Sequence, residues 1–177
     1  MTWTTFHHRG DVLRTVTRTA DARRDGILPM DVAGVTETFG DEVTLLGALQ
    51  LRWHTRLSGH IERELLQQPL DPDLAVIAAW QAAADELPGT RAIVDHYRAE
   101  PTDDAMAFVT ATSAAKERVL LAAMAGRAGA DTAATAAAGA ALEERARATW
   151  VPTTAQEPPT DHRGHGLLGR IRAHVAA

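Results

Sequence analysis

The sequence predicts an all-α fold, an antiparallel bundle of five or six helices around one long central helix, with a flexible C-terminal tail. Three observations predict it. Large apolar residues recur at spacings of three and four from Leu46 to Leu65, helix stop-and-start signals punctuate the chain at short intervals, and no stretch alternates apolar and polar residues long enough to ask for a strand.

The central stretch runs from Asp41 to Gln68. Leu46, Leu49, Trp53, Leu57, Ile61 and Leu65 fall on one slowly drifting face of a 3.6-residue helix. At about 1.5 Å per residue this is a rod of roughly 40 Å, with Asp41 as its expected N-cap.

Ahead of it, residues 5–22 predict a first helix with Phe6, Leu13, Val16 and Ala20 on one face. Gly26 and Pro29 stop it, and Asp31 is placed to cap a short piece running to about Thr38. After Gln68, Asp71 as cap and Pro72 in the first turn open a helix to Leu87 that is expected to bury Leu74, Ile77, Trp80 and Ala84. Pro88-Gly89-Thr90 is read as a break, followed by a shorter helix from Arg91 to Ala99.

Pro101, with Thr102 as cap, restarts the pattern, and Met106, Val109, Leu120 and Met124 predict a buried stripe through about Gly126. The Ala-rich stretch from Gly129 to Thr149 has high helix propensity, Asp131 as a cap and a Glu143/Arg147 pair one turn apart. With only Leu142 and Trp150 as large anchors, it is expected to be peripheral.

Residues 1–150 are thus expected to form the helical domain and 151–166 a flexible linker. Residues 167–177 follow as a short amphipathic segment that presents Leu167, Leu168, Arg170, Ile171 and Val175 to a partner.

Charge and composition narrow the function classes. The chain has 177 residues and a net charge of −5, and residues 1–150 carry 15 basic and 21 acidic groups. An acidic body argues against broad phosphate-backbone binding, so nucleic acid is not expected, although Arg9, Arg14, Arg18, Arg23 and Arg24 form one basic cluster. With no cysteine, disulfides and thiolate metal sites are excluded. There is no basic-then-apolar leader and no run apolar enough to span a bilayer, and a cytoplasmic protein is the expectation.

The central helix also carries polar residues on its apolar side. His60 and Glu64 project within the sector of Trp53 and Leu57, and Glu117 shares a sector with Met106 and Leu120. Buried ionisable groups need partners, and His with carboxylates inside a bundle is the material of an iron or manganese site.

The His-x-x-x-Glu spacing of residues 60–64 resembles the element used by hemerythrin-like bundles. That resemblance implies further His ligands, for which His54 and His96 are the candidates. The alternative metal set is therefore His60, Glu64, His96 and Glu117. The Glu-x-x-His element of ferritin-like proteins is missing, since no Glu has His three residues later. The plainer reading is an ion-paired patch at a helix crossing, with Arg56 and Arg63 beside His60 and an Arg from a neighbouring helix beside Glu117.

Other pattern matches carry no chemistry. Gly164-His165-Gly166-Leu167-Leu168-Gly169 fits G-x-G-x-x-G but follows no strand, and Ser58 and Ser113 lie in no G-x-S-x-G context. The sequence points first to a non-enzymatic helical interaction or regulatory module without a cofactor, acting on a protein partner or on a second copy of itself. A metal-dependent or small-molecule-binding bundle is the alternative.

Overall fold

The computed structural model describes residues 3–153, and side chains from His8 onward. Seven helices follow one another: α1 (Trp3–Arg23), α2 (Val35–Phe39), α3 (Glu42–Gln67), α4 (Pro72–Glu86), α5 (Pro88–Ala99), α6 (Asp104–Met124) and α7 (Thr132–Thr149). They pack together as a bundle, and no strand occurs among the described residues. No helix among these residues is long and apolar enough to cross a membrane. The linker beyond Thr153 and the segment carrying Leu167, Leu168, Arg170, Ile171 and Val175 lie outside the described residues.

The long rod is α3, and it is unbroken. Asp41 caps it by accepting a hydrogen bond from the Thr44 N–H at 2.7 Å. Leu45, Leu46 and Leu49, near its start, belong to one apolar cluster with Val16 of α1, Phe39 of α2 and Ile93 and Tyr97 of α5. Trp53, Leu57 and Ile61 belong to a second cluster with Val76, Trp80 and Ala83 of α4, Leu121 of α6 and Leu142 and Ala146 of α7. One helix therefore supplies residues to both halves of the core; α1, α2, α4, α5 and α6 pack against it directly, and α7 packs on α4 and α6.

Several boundaries depart from the sequence expectation, each for a local reason. Asp31 does not cap α2. Its carboxylate pairs with Arg23 at 2.5 Å, and α2 starts instead at Gly34, in a left-handed conformation (φ 83°) that glycine adopts without a Cβ penalty. Pro88-Gly89-Thr90 is not a break but the first turn of α5, where proline needs no N–H partner. Asp103, rather than Thr102, caps α6, accepting from the Met106 N–H at 2.7 Å.

The fully buried stripe of α6 is Met106, Thr110, Ala114, Glu117 and Leu121, while Val109, Leu120 and Met124 are only partly buried, Leu120 and Met124 packing against the edge of the core. Leu74 is about half exposed, not buried.

The largest departure is α7. It is not peripheral: Thr135, Gly139, Leu142, Glu143 and Ala146 are all buried. A Cβ added at Gly139 would lie 1.8 Å from the Arg118 carbonyl oxygen, so α6 and α7 meet backbone to backbone there. Gly89 plays the same part between α5 and α1. A Cβ there would sit 2.1 Å from the Ala20 carbonyl carbon, and the Gly89 N–H donates to Asp21 Oδ1 at 2.9 Å. Burial nonetheless raises the Asp21 carboxyl above its ordinary range, against the pull of that N–H and of Arg24 and Arg52.

Candidate functional site

Where the two apolar clusters adjoin along α3, the core turns polar. Gln50 of α3, Thr90 and Arg91 of α5 and Glu117 of α6 are all buried there. Glu117 is the centre: Trp80 Nε1 donates to its Oε1 at 3.0 Å, Arg91 Nη1 lies 3.5 Å from the same oxygen, and His54 Nε2 lies 3.8 Å from Oε2. Burial alone would push this carboxyl up. The contacts with His54, Arg91 and Trp80 outweigh it and hold Glu117 down at about 2.

From Arg91 the charges continue across the molecule. Arg91 stacks over Trp53 with its guanidinium carbon 4.6 Å from the ring centre, and it donates to Asp95 at 2.6 Å. Arg147 donates two hydrogen bonds to Asp95, at 2.7 and 2.9 Å, lies 4.9 Å over the Trp80 ring, and reaches Glu143 at 2.9 Å. Arg98 and Arg118 also donate to Glu143, at 2.7 and 3.2 Å.

Burial works against the charge on Asp95 and Glu143 as well, and the surrounding arginines keep both carboxyls below their usual range. This ladder, His54–Glu117–Arg91–Asp95–Arg147–Glu143, joins α3, α5, α6 and α7. Each carboxylate in it is fixed in its charged form, which suits structure rather than proton transfer near neutral pH.

The four residues expected as metal ligands are engaged with different partners. His60 Nε2 meets Glu86 at 2.8 Å while its Nδ1 accepts from Arg63 Nη2 at 2.8 Å. Glu64 accepts from Gln68 at 3.3 Å, and His96 stands edge-on to Tyr97 with ring centres 5.0 Å apart. Glu117 is held in the ladder. Among the described residues no group of three or more His, Asp or Glu side chains is arranged to hold a metal ion. The Glu143/Arg147 pair forms as expected, with Arg147 Nε 3.2 Å from Glu143.

Of the basic cluster on α1 and its following loop, Arg14 pairs with Asp11, Arg23 pairs with Asp31, Arg24 bonds the Asp21 carbonyl, and Arg9 stacks over Phe39 at 4.4 Å.

At its α3 end the ladder reaches the surface. Gly47, Gln50, Leu51 and His54 of α3, with Phe108 and Ser113 of α6, line a groove with a volume of about 320 Å³. Leu51 and Phe108 stand at 68% and 72% exposure, large apolar side chains left in water. A Cβ added at Gly47 would meet nothing within 4 Å, so the missing side chain opens the recess.

On the lining, Gln50 is only 4% exposed, yet its Nε2 has no hydrogen-bond partner among the described residues. Such a donor is costly to leave unmade. His54 lines the same groove, with Nε2 near Glu117.

Comparison with protein-family models, curated proteins and solved structures returned no match. The functional reading therefore rests on this geometry. The sequence pointed to Glu117 and to an arginine from a neighbouring helix beside it, but not to Arg91 as that arginine, nor to the groove. Arg91 followed a tripeptide read as a break, and no sequence signal distinguishes a buried arginine from a solvated one. Leu51 and Phe108 carried a usable signal, since both fall off the apolar stripes of their helices.

Proposed function

We propose that the chain is a non-enzymatic helical interaction module whose docking surface is the groove between α3 and α6, and whose occupant is an amphipathic helix. The observation that carries this reading is the pair of exposed large apolar side chains, Leu51 and Phe108, lining one recess between α3 and α6. Apolar side chains of a docked helix would cover Leu51 and Phe108. The neighbouring ladder supports the role by locking the relative positions of α3, α5, α6 and α7, so that the groove is formed before anything binds.

The test uses fluorescein-labelled, leucine-rich amphipathic peptides of mixed charge, followed by anisotropy against the full chain. At least one peptide is expected to bind, and Leu51→Asp with Phe108→Asp is expected to weaken it by about tenfold or more, the equivalent of roughly 1.4 kcal/mol. Both residues are exposed, so the double variant should keep the wild-type fold. No binding by any peptide, or binding indifferent to the double variant, would overturn the reading.

A further inference from the structure

We infer that the cavity between α1, α3 and the α4–α5 junction binds a small hydroxylated organic anion, a carboxylate or a phosphate ester, through Arg18 and Arg52. This cavity shares no lining residue with the groove between α3 and α6, so the two sites are tested separately.

The site starts from helical spacing. Arg14, Arg18 and Asp21 fall on one face of α1, and they look across a cavity of about 480 Å³ to Arg52 of α3 and to Glu86 at the end of α4. That volume lies within the range of about 300–1,000 Å³ that suits a small organic ligand.

The lining carries three carboxylates and three guanidiniums, and what separates them is which are already partnered. Asp11 pairs with Arg14, Asp21 accepts from the Gly89 N–H at 2.9 Å, and Glu86 meets Arg56 at 3.2 Å and His60 at 2.8 Å. Arg18 reaches only the Thr15 hydroxyl, at 3.3 Å, and Arg52 acts on Asp21 through space without a hydrogen bond. Among the described residues, Arg18 and Arg52 are therefore the charged groups of this cavity that no carboxylate touches.

Arg52 is also held in place. The residue is partly buried and its Nε is shut off from solvent, so the guanidinium is packed at its root and its outer Nη edge is what remains to meet a ligand. No ligand atom is needed at Nε. Two parallel N–H donors on that edge match the paired oxygens of a carboxylate or a phosphoryl group. Asp21 and Glu86, on the same lining, weigh against a highly charged polyanion and can accept from hydroxyl groups on the ligand.

The other arginine-lined recess, between α5, α6 and α7, lacks this feature. Its Arg98, Arg118 and Arg147 are all bound to Glu143 or Asp95.

The test is isothermal titration calorimetry of the full chain at low salt, with malate and glycerol 3-phosphate as probes and glycerol as the neutral control. At least one anion is expected to bind with a Kd of about 1 mM or tighter, and which one binds distinguishes carboxylate from phosphoryl recognition. Arg18→Gln and Arg52→Gln should each weaken binding by about tenfold, the loss expected when one charge-assisted contact is removed. Arg127→Gln removes the same charge outside the cavity, from a pair with Asp73, and should leave the affinity unchanged.

Arg18 is exposed, so its variant should keep the fold and decides the matter if Arg52→Gln lowers the thermal unfolding midpoint. Binding of neither anion, equal binding of glycerol, an affinity indifferent to Arg18→Gln, or an equal loss in Arg127→Gln would each overturn the inference.

Discussion

Glu117 shows at one residue how this protein handles charge in its interior. Its carboxylate is 2% exposed and remains ionised because Trp80, Arg91 and His54 converge on it. Glu117→Gln keeps the shape but leaves Arg91 with Asp95 as its one carboxylate partner among the described residues, and its Nε and Nη1 already lack hydrogen-bond partners there. Removing one of two partners of a buried charge costs about 1–3 kcal/mol, and urea unfolding of the variant should show a loss of that size.

The pH dependence has a definite sign. The folded carboxyl sits at about 2 against an ordinary value of 4.5, so its stabilisation is complete above pH 4.5 and is lost as pH falls toward 2. Asp95 and Glu143 are shifted the same way and steepen the loss. The urea midpoint of the wild-type chain should therefore fall between pH 4.5 and 2, and Glu117→Gln should show a shallower fall. Equal slopes would mean that Glu117 is not held ionised in the fold.

At the scale of the elements, three helical glycines separate contact from open space. Gly89 and Gly139 lie against the backbones of α1 and α6, whereas Gly47 faces nothing. Gly139→Ala should destabilise by about 1–3 kcal/mol or more because the α6 backbone cannot yield as a side chain would. Gly47→Ala should stabilise by up to about 1 kcal/mol, the usual helix-interior gain over glycine. Thermal unfolding of the two variants checks the contrast, and a loss of stability at Gly47 would mean that the recess is packed.

The sequence showed that Gly47 and Gly139 sit inside helical patterns, but it could not rank them. Close approach is a property of the neighbouring backbone, and a single chain's pattern does not encode it. The same limit explains α7, where small residues read as weak anchors turned out to permit intimate packing. What was legible was the rod itself: Asp41, the apolar residues from Leu46 to Ile61 and the Asp71-Pro72 start of α4 all act locally, through capping and periodicity.

Across the whole molecule, two apolar clusters share α3, and the charged seam between them runs from the α6–α7 side to the groove. Glu117 was visible in the sequence as a polar residue on an apolar face. An arginine from a neighbouring helix was expected beside it, but its identity as Arg91 was not legible, because this contact, like those of Arg98 with Glu143 and Arg147 with Asp95, joins residues far apart in the chain.

The central claim is that this seam opens on a surface built to receive a helix. Amide chemical-shift mapping of the isotope-labelled full chain with the tightest-binding amphipathic peptide tests it most directly. Docking at the groove would concentrate the shifts at Gly47–His54 and Phe108–Lys116 and carry them inward to Arg91 through His54 and Glu117. Shifts confined to the Leu66–Leu74 turn, or absent at saturating peptide, would contradict it.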